Sequence, residues 1–125
     1  MTKEDVILFQ KIELQIDGLY KEIGLLSKKN PNDVVNTFKL KFINQSLKDA
    51  NYLLGSIKPY ADFDVFDIDE IPTTSDVVLM LEQYITALKS LKTKNTKYKD
   101  VESDWGTSIA QGFWVVDGKI SNINI

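Results

Sequence analysis

The chain has 125 residues, 43% of them hydrophobic and 26% charged, which is the size and composition of one soluble globular domain. At this length folding can bury about two-thirds of the surface that the unfolded chain exposes. Eighteen acidic and fifteen basic residues leave a net charge of −3 and a pI near 4.9, which argues against a general nucleic-acid binder. All fifteen basic residues are lysine, and cysteine, histidine and arginine are absent. Disulfides, thiolate chemistry, the commonest general base and the bidentate phosphate fork are therefore excluded. No cofactor or metal is expected.

The opening segment "MTKEDVILFQ" carries acids where a signal peptide needs a basic start, and no window approaches the apolar run of about 18 residues that spans a membrane. These features point to a cytoplasmic protein without membrane contact. The abundance of lysine, isoleucine and asparagine fits AT-rich coding of a bacterial or phage-like kind.

Three helices are predicted first. Phe9, Ile12, Ile16, Leu19, Ile23 and Leu26 step by three and four along one stripe. Thr2 and Asp5 form a capping-box pattern, and Lys28 and Lys29 suit the helix's negative C-terminal end. "NPND" then reads as a second start, with Asn30 capping, Pro31 at the first helical position and Asp33 in the first turn. Its stripe is Leu40, Ile43, Leu47, Ala50 and Leu54, which Phe38 and Phe42 are expected to widen, and Gly55 closes it. The third helix starts at Thr73 with Asp76 and carries Val77, Leu81, Tyr84, Leu88 and Leu91 inward. It fades in "KSLKTKNTKYK", a solvated basic run, and is expected to resume as a helical turn through Tyr98, Val101 and Trp105.

The chain then changes period. "GFWVVDGKISNINI" holds two β-favouring runs around Asp117-Gly118, so a hairpin is predicted over about 112–125. A lone hairpin is marginal in water and must pack on the helices, with Phe113 and Trp114 as anchors. The expected architecture is one mainly α domain over residues 1–125: three long antiparallel helices in a bundle with a small C-terminal β-hairpin. No repeat or low-complexity segment interrupts it.

The most informative stretch is "DFDVFDIDE", residues 62–70, with five carboxylates in nine residues. As a calcium loop it fails at three positions, because Phe66, Asp67 and Thr73 stand where a ligand, the obligatory glycine and the bidentate glutamate belong. A carboxylate active site needs acids projecting inward, whereas Glu13, Asp17, Glu22 and Glu82 lie outside the apolar stripes. "GTSIAQG" is not a nucleophile elbow, and no phosphate-binding glycine loop exists. No catalytic residue is expected.

Two readings of residues 56–72 remain. In the plainer one, the apolar residues pin a crossover on the bundle and the acids are only solvated. In the functional one, Asp62, Asp64, Asp67, Asp69 and Glu70 form a rigid acidic surface for a basic protein. Trp105 poses the same choice between buried anchor and binding hot spot. The sequence thus points to a small non-enzymatic module that binds another protein, as an inhibitor or adaptor would. A carboxylate enzyme and a structural homodimer are the alternatives.

Overall fold

The computed structural model describes residues 1–125. Its elements are α1 (Lys3–Lys29), α2 (Thr37–Leu54), a single 3₁₀ turn (Gly55–Ile57), α3 (Thr74–Lys94), β1 (Thr96–Glu102), β2 (Ser108–Val116) and β3 (Lys119–Asn124). No helix is long and apolar enough to cross a membrane. The predicted hairpin is part of a larger unit, a three-stranded antiparallel meander in the order β1-β2-β3.

Both predicted capping boxes are present. Thr2 and Asp5 reciprocally satisfy each other's backbone N–H at the start of α1, and Thr73 and Asp76 do the same for α3. The "NPND" expectation needs correction. Asn30 closes α1, its N–H donating to the Leu26 carbonyl at 2.9 Å, and α2 begins only at Thr37, capped by Asn36. Residues 30–36 instead form a turn that α3 uses. The Thr74 and Ser75 N–H groups donate to the carbonyls of Asp33 and Pro31 at 2.8 and 3.1 Å, so bonds from outside the helix satisfy donors that its first turn leaves free. The Thr74 hydroxyl, buried, donates to the Asn30 carbonyl at 2.8 Å.

Side-chain contacts fix the helix directions. Lys39 reaches Glu22 at 2.8 Å and Ser46 reaches Gln15 at 3.3 Å, so α2 runs antiparallel to α1. Tyr20 reaches Glu82 at 2.6 Å and Lys92 reaches Glu13 at 3.2 Å, so α3 also runs antiparallel to α1. It follows that α2 and α3 point the same way, which corrects the expected all-antiparallel bundle: only α1 is antiparallel to its neighbours. The connection between them must therefore travel back along α2, about 27 Å for its 18 residues. That is why it is long.

The three predicted stripes meet as one core, with Phe9, Ile12, Ile16 and Ile23 against Leu40, Ile43, Leu47, Val77, Leu81 and Tyr84. Phe38 and Phe42 do not widen it. They are 68% and 55% exposed on the outside of α2.

At the other end of the sequence, polar side chains finish α3. The Asn95 amide and the Thr96 hydroxyl donate to the carbonyls of Leu91 and Lys92, each at 2.8 Å. The chain then enters β1 at once, and the helical turn expected through Tyr98, Val101 and Trp105 is replaced by strand and loop. β2 starts at Ser108, four residues before the predicted hairpin boundary, because β1 provides it with a second partner. The Asp117-Gly118 turn forms as read, both residues having positive φ (51° and 80°).

β3 then bulges, and Ser121 stitches the irregularity by donating to the Trp114 carbonyl at 2.7 Å and accepting from the Ile123 N–H at 3.1 Å. Neighbouring residues in a strand face opposite ways, so Phe113 and Trp114 anchor different sides. Trp114 enters the core edge-to-face with Phe9 at 4.9 Å. Phe113 is buried outside that core, beneath the Lys99 ammonium at 4.5 Å.

The Trp114 indole N–H is buried with no hydrogen-bond acceptor in the protein. Trp114→Ala should cost about 3–5 kcal/mol in urea unfolding. Trp114→Phe removes the orphan donor while keeping a ring on Phe9, and should cost less than half as much. Equal losses in the two variants would contradict an unpaired indole.

Candidate recognition surface

The connection between α2 and α3 has almost no regular backbone pairing of its own, so side chains hold it. Asn44 on α2 acts as a backbone surrogate, its amide donating to the Phe66 carbonyl at 2.8 Å while its oxygen accepts from the Phe66 N–H at 2.9 Å. Two turns along the same helix, Asn51 donates to the Asp64 carbonyl at 2.8 Å and accepts the Tyr84 hydroxyl proton. Lys58 donates to the Phe63 carbonyl at 3.1 Å and forms an ion pair with the Asp64 carboxylate. Phe63 and Phe66 stack edge-to-face at 5.1 Å and pack on the core, with Phe63 also facing Tyr84.

The remaining apolar residues are wetter than a fully pinned segment would leave them. Ile57, Tyr60, Val65, Ile68 and Ile71 are all exposed. Asp62, Asp64, Asp67, Asp69 and Glu70 all lie in solvent, and of the five only Asp64 has a lysine partner. The Asp67 carboxylate accepts the Asp69 N–H at 2.9 Å, which sets the local turn. The acids thus stand outward from a segment whose middle is clamped.

Trp105 lies elsewhere, at the tip of the β1–β2 ribbon, and is 91% exposed. It is not a buried anchor. Its turn is built by Ser103 and Thr107, whose hydroxyls lie 2.7 Å apart, by the Ser103 N–H donating to the Thr107 carbonyl at 2.7 Å, and by Gly106 at φ 74°. Glu102 and Asp104 precede Trp105 in the chain, and both are exposed. Toward the tip the ribbon is wet on both faces, with Tyr98 72% and Ile109 51% exposed.

Other acids do not converge with these. Glu13 and Asp17 line a groove of about 320 Å³ between α1 and α3, with Ile85 and Leu88. Each carboxylate is held by a lysine, Glu13 by Lys92 at 3.2 Å and Asp17 by Lys21 at 3.0 Å. Sequence reasoning missed the clamping residues Asn44 and Asn51. Their separation of seven, which keeps both on one face of α2, was the signal available.

Compared with known protein families, curated proteins and solved structures, the chain matches none.

Two outcomes test the clamp. Asn44→Ala leaves both Phe66 backbone groups without their partner and should cost about 1–3 kcal/mol. Phe66 amide exchange should accelerate more than exchange in the helices, and uniform acceleration would argue against a local clamp.

Tyr84 provides a pH readout. Burial raises its phenol above the usual range, and the nearby Asp64 charge adds to this. The folded state therefore holds the phenolic proton more tightly than the unfolded state, whose tyrosine titrates near pH 10. Its contribution to stability is complete below about pH 10 and is lost as pH rises through the folded value. Tyr84→Phe should flatten this alkaline loss relative to the parent in denaturant titrations. Parallel alkaline limbs would count against it.

Proposed function

We propose that the protein is a non-enzymatic module that binds another protein, as an inhibitor or adaptor does, and that it works in the cytoplasm. The observation that carries this reading is Trp105, a nearly fully exposed indole on a hydrogen-bonded turn that touches no other part of the chain's core. Holding a large aromatic group in water offers a monomer nothing, whereas tryptophan is among the residues most enriched at binding hot spots. The carboxylates that precede it in the chain, and those of residues 62–70, favour a partner with a basic rim. Their fields mainly speed encounter and reject acidic surfaces.

The test is partner capture by the parent, by Trp105→Ala and by the Asp64→Asn/Asp67→Asn/Asp69→Asn variant, with bound protein identified by mass spectrometry. Trp105→Ala should leave stability within about 0.5 kcal/mol of the parent, since the side chain is solvated. It should weaken partner binding by about thirtyfold or more, the scale of an aromatic hot spot. The triple asparagine variant should associate more slowly, and salt should slow the parent likewise. A partner that binds all three proteins alike would place the contact elsewhere and refute this surface.

A further inference from the structure

We propose that the partner protein pairs an extended segment with the free edge of β1, adding a fourth strand to the sheet. The inference rests on the reading of the Trp105 ribbon as a binding surface and names how that surface is engaged. At its two ends the β1–β2 ladder is closed by bonds between odd-numbered residues. The Val115 N–H donates to the Asn95 carbonyl and the Ser103 N–H to the Thr107 carbonyl, each at 2.7 Å. Antiparallel ladders alternate bonded and non-bonded pairs, and the register between these ends is unbroken. Lys97, Lys99 and Val101 therefore direct their peptide groups at β2, while the N–H and C=O of Tyr98, Asp100 and Glu102 point away from it. β1 is an outermost strand, and residues 97–100 are all exposed. That row of alternating donors and acceptors matches one ligand chemistry, another extended main chain.

The edge lacks the usual protections. β1 contains no proline and no bulge, and no further strand lies on its outer side. Charge alone guards it, and charge is selective. Neighbouring residues face opposite sides of a sheet, so Lys97 and Lys99 lie on one face and Asp100 and Glu102 on the other. Across the ladder these four meet Phe113, Gln111, Ala110 and Ser108, all uncharged, and none of the four forms an ion pair within the chain. Cross-strand neighbours of opposite charge can come only from the outer side. An antiparallel segment that supplies them reads base-x-base-acid-x-acid. Its first base lies opposite Glu102, toward the Trp105 tip, and its last acid opposite Lys97.

The test is an amide-shift titration of the full chain with the blocked peptide Thr-Lys-Val-Lys-Glu-Thr-Glu-Thr and with its counterpart in which Lys and Glu are exchanged. The first peptide should shift the amides of Tyr98, Asp100 and Glu102 more than those of the helices. The exchanged peptide, which opposes like with like at all four positions, should bind at least about tenfold more weakly. Tyr98→Pro removes one outward N–H and leaves the β2 ladder intact, because an edge strand tolerates proline where its nitrogen faces solvent. It should weaken peptide binding about tenfold, whereas Tyr98→Thr, which loses the ring and keeps the N–H, should bind as the parent does. Asp100→Lys/Glu102→Lys should switch the preference to a peptide with glutamate at all four charged positions, a result that does not depend on the proline variant folding. No binding at millimolar peptide, equal binding of the two peptides, or shifts confined to another surface overturns strand addition and leaves the Trp105 reading standing. A partner protein that needs Trp105 but is indifferent to Tyr98→Pro does the same. Peptide pairing at the edge without any Trp105-dependent partner supports the edge and refutes the indole as anchor.

Discussion

The structure depends on one directional constraint, that α2 and α3 run the same way. Antiparallel neighbours can be joined by a tight turn, as α1 and α2 are through residues 30–36. Parallel neighbours cannot, and the chain must return along the bundle before the next helix begins. A return segment without regular secondary structure needs partners for its peptide groups. Asn44 and Asn51 supply them in the middle, and Val35 closes the far end by donating to the Pro72 carbonyl at 3.0 Å. The junction where Thr73 bridges to Val34 then supplies the first-turn donors of α3 with acceptors from residues 31 and 33. The crossover is thus part of what starts the third helix.

Asparagine carries more of this fold than its polarity suggests. Asn36 caps α2, Asn95 ends α3, and Asn44 and Asn51 hold the crossover. In each case the short amide stands in for a backbone group where regular pairing stops. The same abundance of asparagine is compatible with coding bias, and composition alone cannot separate the two. The placement of these residues at element boundaries and facing the crossover does.

What was legible in the sequence followed from chemistry that is local and strongly patterned. The stripes, the two capping boxes and the Asp117-Gly118 turn each rest on residues within a few positions of one another. The failures share a different cause. Asn30-Pro31 suits a helix start as well as the end of one followed by a turn, and only the need of α3 for acceptors separates these. Tyr98, Val101 and Trp105 have helical spacing, yet "TKYKDVE" has a strand partner in β2 that no local window contains. Phe38 and Phe42 extend the α2 stripe on paper, but the inner arc of an 18-residue helix is already filled by Leu40, Ile43, Leu47, Ala50 and Leu54. Of the candidate site, the outward acids were readable, because ionised carboxylates stay in water unless a buried partner offsets their desolvation, whereas the expected inward packing of Val65 and Ile68 is not found. The exposure of Trp105 was not, since a tryptophan in a turn carries no mark of which side of the surface it occupies.

The unpaired outer edge of β1 has a consequence for how this protein can aggregate. Two β1 edges meeting about a two-fold axis must oppose residues of the same facing, so odd-numbered positions meet odd and even meet even. Lys97 and Lys99 fall in one set, Asp100 and Glu102 in the other. Sliding the register cannot escape this. One alignment brings Lys99 against Lys99, the next brings Asp100 against Asp100, and those to either side bring Lys97 against Lys99 or Asp100 against Glu102. The charges that look balanced along the strand are segregated by face, and every symmetric pairing opposes like with like. The open edge therefore refuses its own kind, while a strand of different sequence meets no such barrier.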